Sequence, residues 1–184
     1  MAGLIYAVHA LKDASSAQSQ TVSFSFAYLA RQQSNRCSLR ASELASMAPK
    51  ARLQGACCSA MDRVSFAGQI KALSQYRGIA LIPSNPYDIS VALAGKLVGY
   101  GESIRLTPIQ QAVYQRAMRL SPEKGSCCCH CWRWQAFQGL SNYLIARRSW
   151  RAQPLGRLIG LLDGCGGART SGTMAGSNGM ARGT

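Results

Sequence analysis

The residues best suited to chemistry are Cys127, Cys128, Cys129, His130 and Cys131, a run that holds four of the chain's eight cysteines and one of its two histidines. Trp132, Arg133 and Trp134 follow directly, and a further cysteine, Cys165, stands downstream in the glycine turn Asp163-Gly164-Cys165-Gly166-Gly167. A thiolate is both the nucleophilic and the metal-binding form of cysteine. Thiolates gathered this closely repel one another unless a soft cation joins them. The spacing Cys128-x-x-Cys131 is that of a metal knuckle, and Cys165 is expected to be a third ligand. Cys127 completes the set, with Cys129 or His130 as alternative ligands. Tetrahedral zinc accepts any of these sets, and an iron–sulfur cluster would use the four cysteines Cys127, Cys128, Cys131 and Cys165.

The competing readings use the same sulfurs differently. A disulfide between Cys165 and one cluster cysteine would staple a basic helical module. Alternatively, two of the cysteines would cycle between thiol and disulfide as a redox pair. Covalent haem attachment is excluded, because Cys131 is followed by Trp132 and Cys129-His130 is preceded at the required position by Ser126. A thioredoxin-like centre expects alternating strands and helices, a pattern the sequence lacks. The seven carboxylates are scattered singly, which gives no pair for general acid–base work, and no nucleophile elbow or phosphate-binding glycine loop is present. The sequence therefore names no enzyme class.

The elements around these residues read as mostly α: a small irregular bundle of about four to five helices with one or two short strands and a cysteine-rich loop. Thr107-Pro108 is a helix start, and Ile109, Ala112, Val113, Ala117 and Leu120 recur behind it at helical spacing. Trp132 to Arg148 carries Trp132, Ala136, Leu140 and Leu144 at four-residue steps, with Arg147 and Arg148 in the last turn. Pro154 to Leu162 reads as a final short helix. Ser65 is expected to cap a helix bearing Phe66, Ile70 and Leu73, and Asn85-Pro86 to open another. Ile79 to Ile82 reads as a buried strand, and Val22, Phe24, Phe26 and Tyr28 alternate like a strand as well.

Residues 1–60 give mixed signals and read as a poorly defined N-terminal segment, in which Cys57-Cys58 has no evident partner. The compact unit is expected over residues 61–167, with Met61 as an alternative translation start. Residues 168–184, rich in glycine, serine and threonine, read as a disordered tail.

The 21 basic and 7 acidic residues give a net charge of +14, which favours an acidic partner or nucleic acid. Arg133, Arg147, Arg148 and Arg151 are the candidate contacts, beside aromatic residues that could stack on bases. No apolar run reaches the ~18–20 residues of a membrane span. The stretch before Ala17 reads poorly as a secretory signal, having no Lys or Arg ahead of its apolar patch. Eight cysteines in 184 residues are too sparse for a disulfide scaffold, so a cytoplasmic setting is expected over an exported one.

Overall fold

The computed structural model describes residues 20–122 and 129–167. Among these, helix α1 covers residues 20–29 and is followed by the short α2 (Ala41–Leu44), β1 (Arg52–Gln54) and α3 (Arg63–Leu73). Then come β2 (Asp88–Ser90), α4 (Val91–Ser103), α5 (Pro108–Leu120), α6 (Trp132–Arg148) and α7 (Ala152–Leu161). The architecture is the mostly helical bundle that the sequence predicts, with a minor two-stranded antiparallel sheet pairing Leu53 with Ile89.

The strongest sequence signals sit where expected. Thr107 caps α5, accepting a hydrogen bond from the Gln110 amide while the Gln110 side chain accepts from the Thr107 amide. The four-step stripe Trp132, Ala136, Leu140 and Leu144 is buried to 1 % exposure or less and forms the spine of the core. Helix α4 packs across α6 at Gly139, where a Cβ would run into the Leu97 carbonyl oxygen. Glycine there is what lets the two backbones meet.

Four local expectations are corrected. The alternation from Val22 to Tyr28 is not a strand but lies in α1, because Val22, Phe26 and Leu29 also stand one helical face apart. That face packs on Phe66 and Tyr87, with the Phe26 and Phe66 rings 5.6 Å apart. The cap of α3 is Asp62, which accepts from the Ser65 amide at 2.7 Å, so Ser65 is the capped residue. Ile79 to Ile82 is a pair of tight turns, closed by hydrogen bonds from Ile79 to Tyr76 and from Ile82 to Ile79. Asn85 uses its side chain to accept from the Tyr87 amide, an Asx turn that delays the helix past β2, and Ser90 caps α4 instead.

Residues 36–60 contribute to the same core as the long helices. Leu39, Leu44 and Leu53 are at most 4 % exposed and belong to one cluster with Leu97, Trp132, Leu140 and Leu158. No helix among the described residues is long and apolar enough to cross a membrane.

Candidate sulfur cluster

Three chain segments are tied together beneath one patch of surface. Asn35, 2 % exposed, takes a hydrogen bond from the Trp132 indole at 3.0 Å and donates to the Gly55 carbonyl at 2.9 Å. It thereby fixes the loop carrying Cys37 against both the end of β1 and the start of α6. The Trp132 amide adds a bond to the Leu39 carbonyl. On the other side, the amides of Cys57, Cys58 and Ser59 donate to the carbonyls of Gly164 and Cys165. Asp163 holds this turn by accepting from the Cys165 amide at 3.0 Å.

Gly166 completes the clamp. Its φ of +85° is left-handed, and a Cβ there would strike the Ser59 carbonyl oxygen. The glycine turn is therefore a backbone requirement of the place where Cys165 meets the segment 57–59.

These constraints gather sulfur atoms from four places in the chain. The Cys57 sulfur lies 3.5 Å from that of Cys58 and 3.8 Å from that of Cys165. The Cys129 sulfur lies 3.6 Å from Cys58 and 3.4 Å from Cys37. The sulfurs of Cys37, Cys57 and Cys58 all fall within 4.8 Å of one another, close enough to chelate a metal ion or to form a disulfide. Cys37 and Cys58 are bonded to each other, while Cys57, Cys129, Cys131 and Cys165 are thiols. Cys58 and Cys129 face solvent, and Cys37, Cys57 and Cys165 are half-buried.

The glycine turn and the cysteine-rich loop each meet Cys57-Cys58, a pair left without a role by the sequence pattern. Cys165 meets Cys57, and Cys129 meets Cys37 and Cys58. The bridge joins Cys37 to Cys58, where the sequence had suggested a staple from Cys165. Cys57-Cys58, which read as lacking a partner, stands at the centre. Cys127 and Cys128 lie outside the described residues. Cys131 is 3 % exposed at the N-cap of α6. His130 is exposed, with φ at +48°, and stands with its ring 4.7 Å from that of Trp134.

The arginines separate into two groups. Arg147, Arg148 and Arg151 are exposed around the junction of α6 and α7, together with Arg157. Arg133 is fully buried and offers no group to an external partner. Its guanidinium lies 5.1 Å from the Trp132 ring centroid and 5.5 Å from that of Phe137. A cleft of about 620 Å³ is lined in part by Arg40, Glu102, His130 and Gln135.

No protein-family model, curated protein or solved structure matches this chain.

Proposed function

We propose that the cluster is a thiol–disulfide exchange centre, in which the Cys37–Cys58 bridge is opened and reformed. The supporting observation is the bridge's surroundings: thiols stand 3.4 Å and 3.6 Å from its two sulfurs at Cys129, and 3.5 Å from Cys58 at Cys57. A structural staple needs no such neighbours. Exchange uses them, because a mixed disulfide on Cys58 that meets no second substrate thiol is released by attack of an adjacent protein thiol.

The chemistry follows from exposure. An incoming thiolate attacks the Cys58 sulfur, the exposed member of the pair, and the electrons of the S–S bond leave on Cys37. The Cys37 sulfur lies 3.0 Å from the Cys57 carbonyl oxygen, which accepts a hydrogen bond once Cys37 takes up a proton. A second thiol of the substrate then attacks the mixed disulfide and releases Cys58. One disulfide is reduced to two thiols, and the substrate dithiol is oxidised by the same two electrons.

Thiol counting under denaturing conditions tests this reading. Alkylation and intact-mass analysis should show two more modifiable cysteines after reduction than before, and equilibration in glutathione buffers should interconvert the two forms. Equal counts would remove the exchange reading.

A second reading is carried by the exposed arginines at the α6–α7 junction. There the bridge stabilises a basic module that docks an acidic partner through Arg147, Arg148 and Arg151. Binding to a polyanion such as heparin or single-stranded DNA should then weaken steeply with salt, and flat salt dependence counts against it.

A further inference from the structure

We infer that, with the bridge reduced, Cys37, Cys57, Cys58 and Cys129 form a tetrathiolate site for one zinc-class divalent cation, whose excess negative charge is balanced by the buried guanidinium of Arg133. The inference rests on the reversibility of the Cys37–Cys58 bridge proposed above, since both bonded sulfurs must be released to bind.

Two independent observations carry it. The first is spacing. Zinc–thiolate bonds of about 2.3 Å in a tetrahedron set their sulfurs about 3.8 Å apart. Three of the sulfur pairs stand at 3.4, 3.5 and 3.6 Å, within a few tenths of an ångström of that separation. Cys37 lies within 4.8 Å of Cys57, and the bonded pair Cys37 and Cys58 part to reach it once reduced. A four-iron cluster interposes its own inorganic core and holds its cysteines wider than this. The spacing therefore selects a single ion. Oxygen-seeking cations such as magnesium and calcium are poor matches for an all-sulfur shell.

The second observation is an orphaned charge. Arg133 has no exposure, and its Nε and both terminal nitrogens have no hydrogen-bond partner. Among the described residues the one ion pair is Arg52 with Asp88, so no carboxylate serves Arg133. A buried cation is strongly unfavourable unless an anion compensates it. The guanidinium packs on Gly164, where a Cβ would come within 2.5 Å of its central carbon. The Gly164 carbonyl accepts from the Cys57 amide at 3.1 Å, so one peptide group separates the cation from a ligand residue. Four thiolates around a divalent ion make a net dianion. That is the charge this position lacks when the sulfurs are neutral.

The binding step balances. Four S–H protons pass to solvent as four metal–sulfur bonds form, with no change of oxidation state. Cys58 and Cys129, the exposed members, provide the route by which the ion arrives. Cys165, 3.8 Å from Cys57, remains outside the four as the nearest reserve sulfur.

The test uses the full chain, reduced anaerobically, freed of reductant and titrated with Co²⁺. One equivalent should produce intense thiolate-to-cobalt absorption with the visible bands of tetrahedral Co²⁺, and the oxidised protein should produce neither. Cys37→Ser and Cys129→Ser should each weaken binding at least tenfold. Arg133→Met should weaken it about tenfold, whereas Arg133→Lys, which keeps the charge, should stay within threefold. Should Arg133→Met fail to fold, Gly164→Ala, which displaces the guanidinium, should weaken binding at least threefold. Absence of the tetrahedral spectrum in reduced protein overturns the site, and so does a spectrum unaltered in Cys37→Ser and Cys129→Ser. Equal losses in the Met and Lys variants, or unaltered affinity in Gly164→Ala, overturn the role of Arg133. Reduced protein that gains two thiols but binds no Co²⁺ sinks this inference and leaves exchange standing. Identical Co²⁺ binding before and after reductant, with equal thiol counts, supports the site and removes exchange.

Discussion

The Trp132 indole N–H donates to the side-chain oxygen of Asn35 at 3.0 Å, joining residues 97 positions apart in the chain and both almost fully buried. This bond ties the start of α6 to the loop bearing Cys37. Because the Asn35 amide group also donates to the Gly55 carbonyl, one side chain registers three segments of the sulfur cluster.

Asn35→Ala should therefore destabilise the fold by about 2–4 kcal/mol, since it leaves two buried polar groups without partners. Urea denaturation measures the loss. The same variant should raise the alkylation rate of Cys129, as the anchor between α6 and the Cys37 loop is gone. A change under about 0.5 kcal/mol would show that water replaces the amide without penalty.

Helix α4 meets α6 at Gly139, and the prediction there is steric. A methyl group at this position would collide with the Leu97 carbonyl oxygen and with the Gly101 amide nitrogen, both backbone atoms that cannot rotate away. Gly139→Ala should cost about 3 kcal/mol, the upper end for overpacking a close-packed contact. Gly95→Ala on the same helix α4 meets open space and should gain up to about 1 kcal/mol from helix propensity. Thermal melts of the two variants should move in opposite directions.

Acid stability should depend on Asp62. Hydrogen bonds from the Ser65 amide and hydroxyl hold its carboxyl below the usual value of 3.8. A carboxylate with a depressed folded-state pKa contributes stability that is complete above the unfolded value. That contribution is lost as pH falls through the folded value. Asp62→Asn keeps the cap but cannot titrate, so its stability should vary less with pH below about 4 than that of the parent. Parallel acid titrations followed by circular dichroism check this, and identical acid limbs would count against it.

How much of this was legible depends on the range of each interaction. Trp132 to Leu144 and Thr107-Pro108 were readable because helix periodicity and capping are local and leave a local pattern. Residues 22–28 misled because Val22 and Phe26 satisfy two periods at once, and only the packing of Phe66 chooses between them. The cluster was half visible. Cys165 and Cys129 advertised themselves by a glycine turn and by crowding. Cys37 and Cys57-Cys58 did not, because what gives them partners is the pairing of segment 57–59 with the turn at 163–165 and the long reach of Asn35. Gly55, whose φ is +89°, was the one nearby hint that the backbone before Cys57 turns sharply. The buried state of Arg133 left no trace in the sequence, since arginine in a helix is ordinarily solvated.

The packing of Leu39, Leu44 and Leu53 into the main core bears on proteolysis. Trypsin sites at Arg40, Lys50 and Arg52 lie within this stretch, and cleavage needs the local chain to open. Because those leucines pack with Leu97 and Trp132, opening here should approach the free energy of global unfolding. Native trypsin should then leave the bonds after Arg40 and Arg52 intact while the folded protein persists. Rapid cleavage at either bond would mean that segment 36–60 detaches independently.

Gly166 provides the most direct test of how the glycine turn places Cys165. Its φ of +85° disfavours any side chain, and an added Cβ would strike the Ser59 and Ala60 carbonyl oxygens. Those carbonyls belong to the segment whose amides hold Gly164 and Cys165, so relief of the clash must separate the two segments. Gly166→Ala should lower stability by about 1–3 kcal/mol through backbone strain alone. The more specific expectation concerns sulfur. Cys165 and Cys57 are 3.8 Å apart and should cross-link under mild oxidation of the parent chain once Cys37 and Cys58 are replaced by serine. In the same background Gly166→Ala should reduce that cross-link several-fold, read by peptide mapping. An unaltered yield would show that the turn tolerates a left-handed alanine and that Cys165 is held by Asp163 and the Ser59 amide instead.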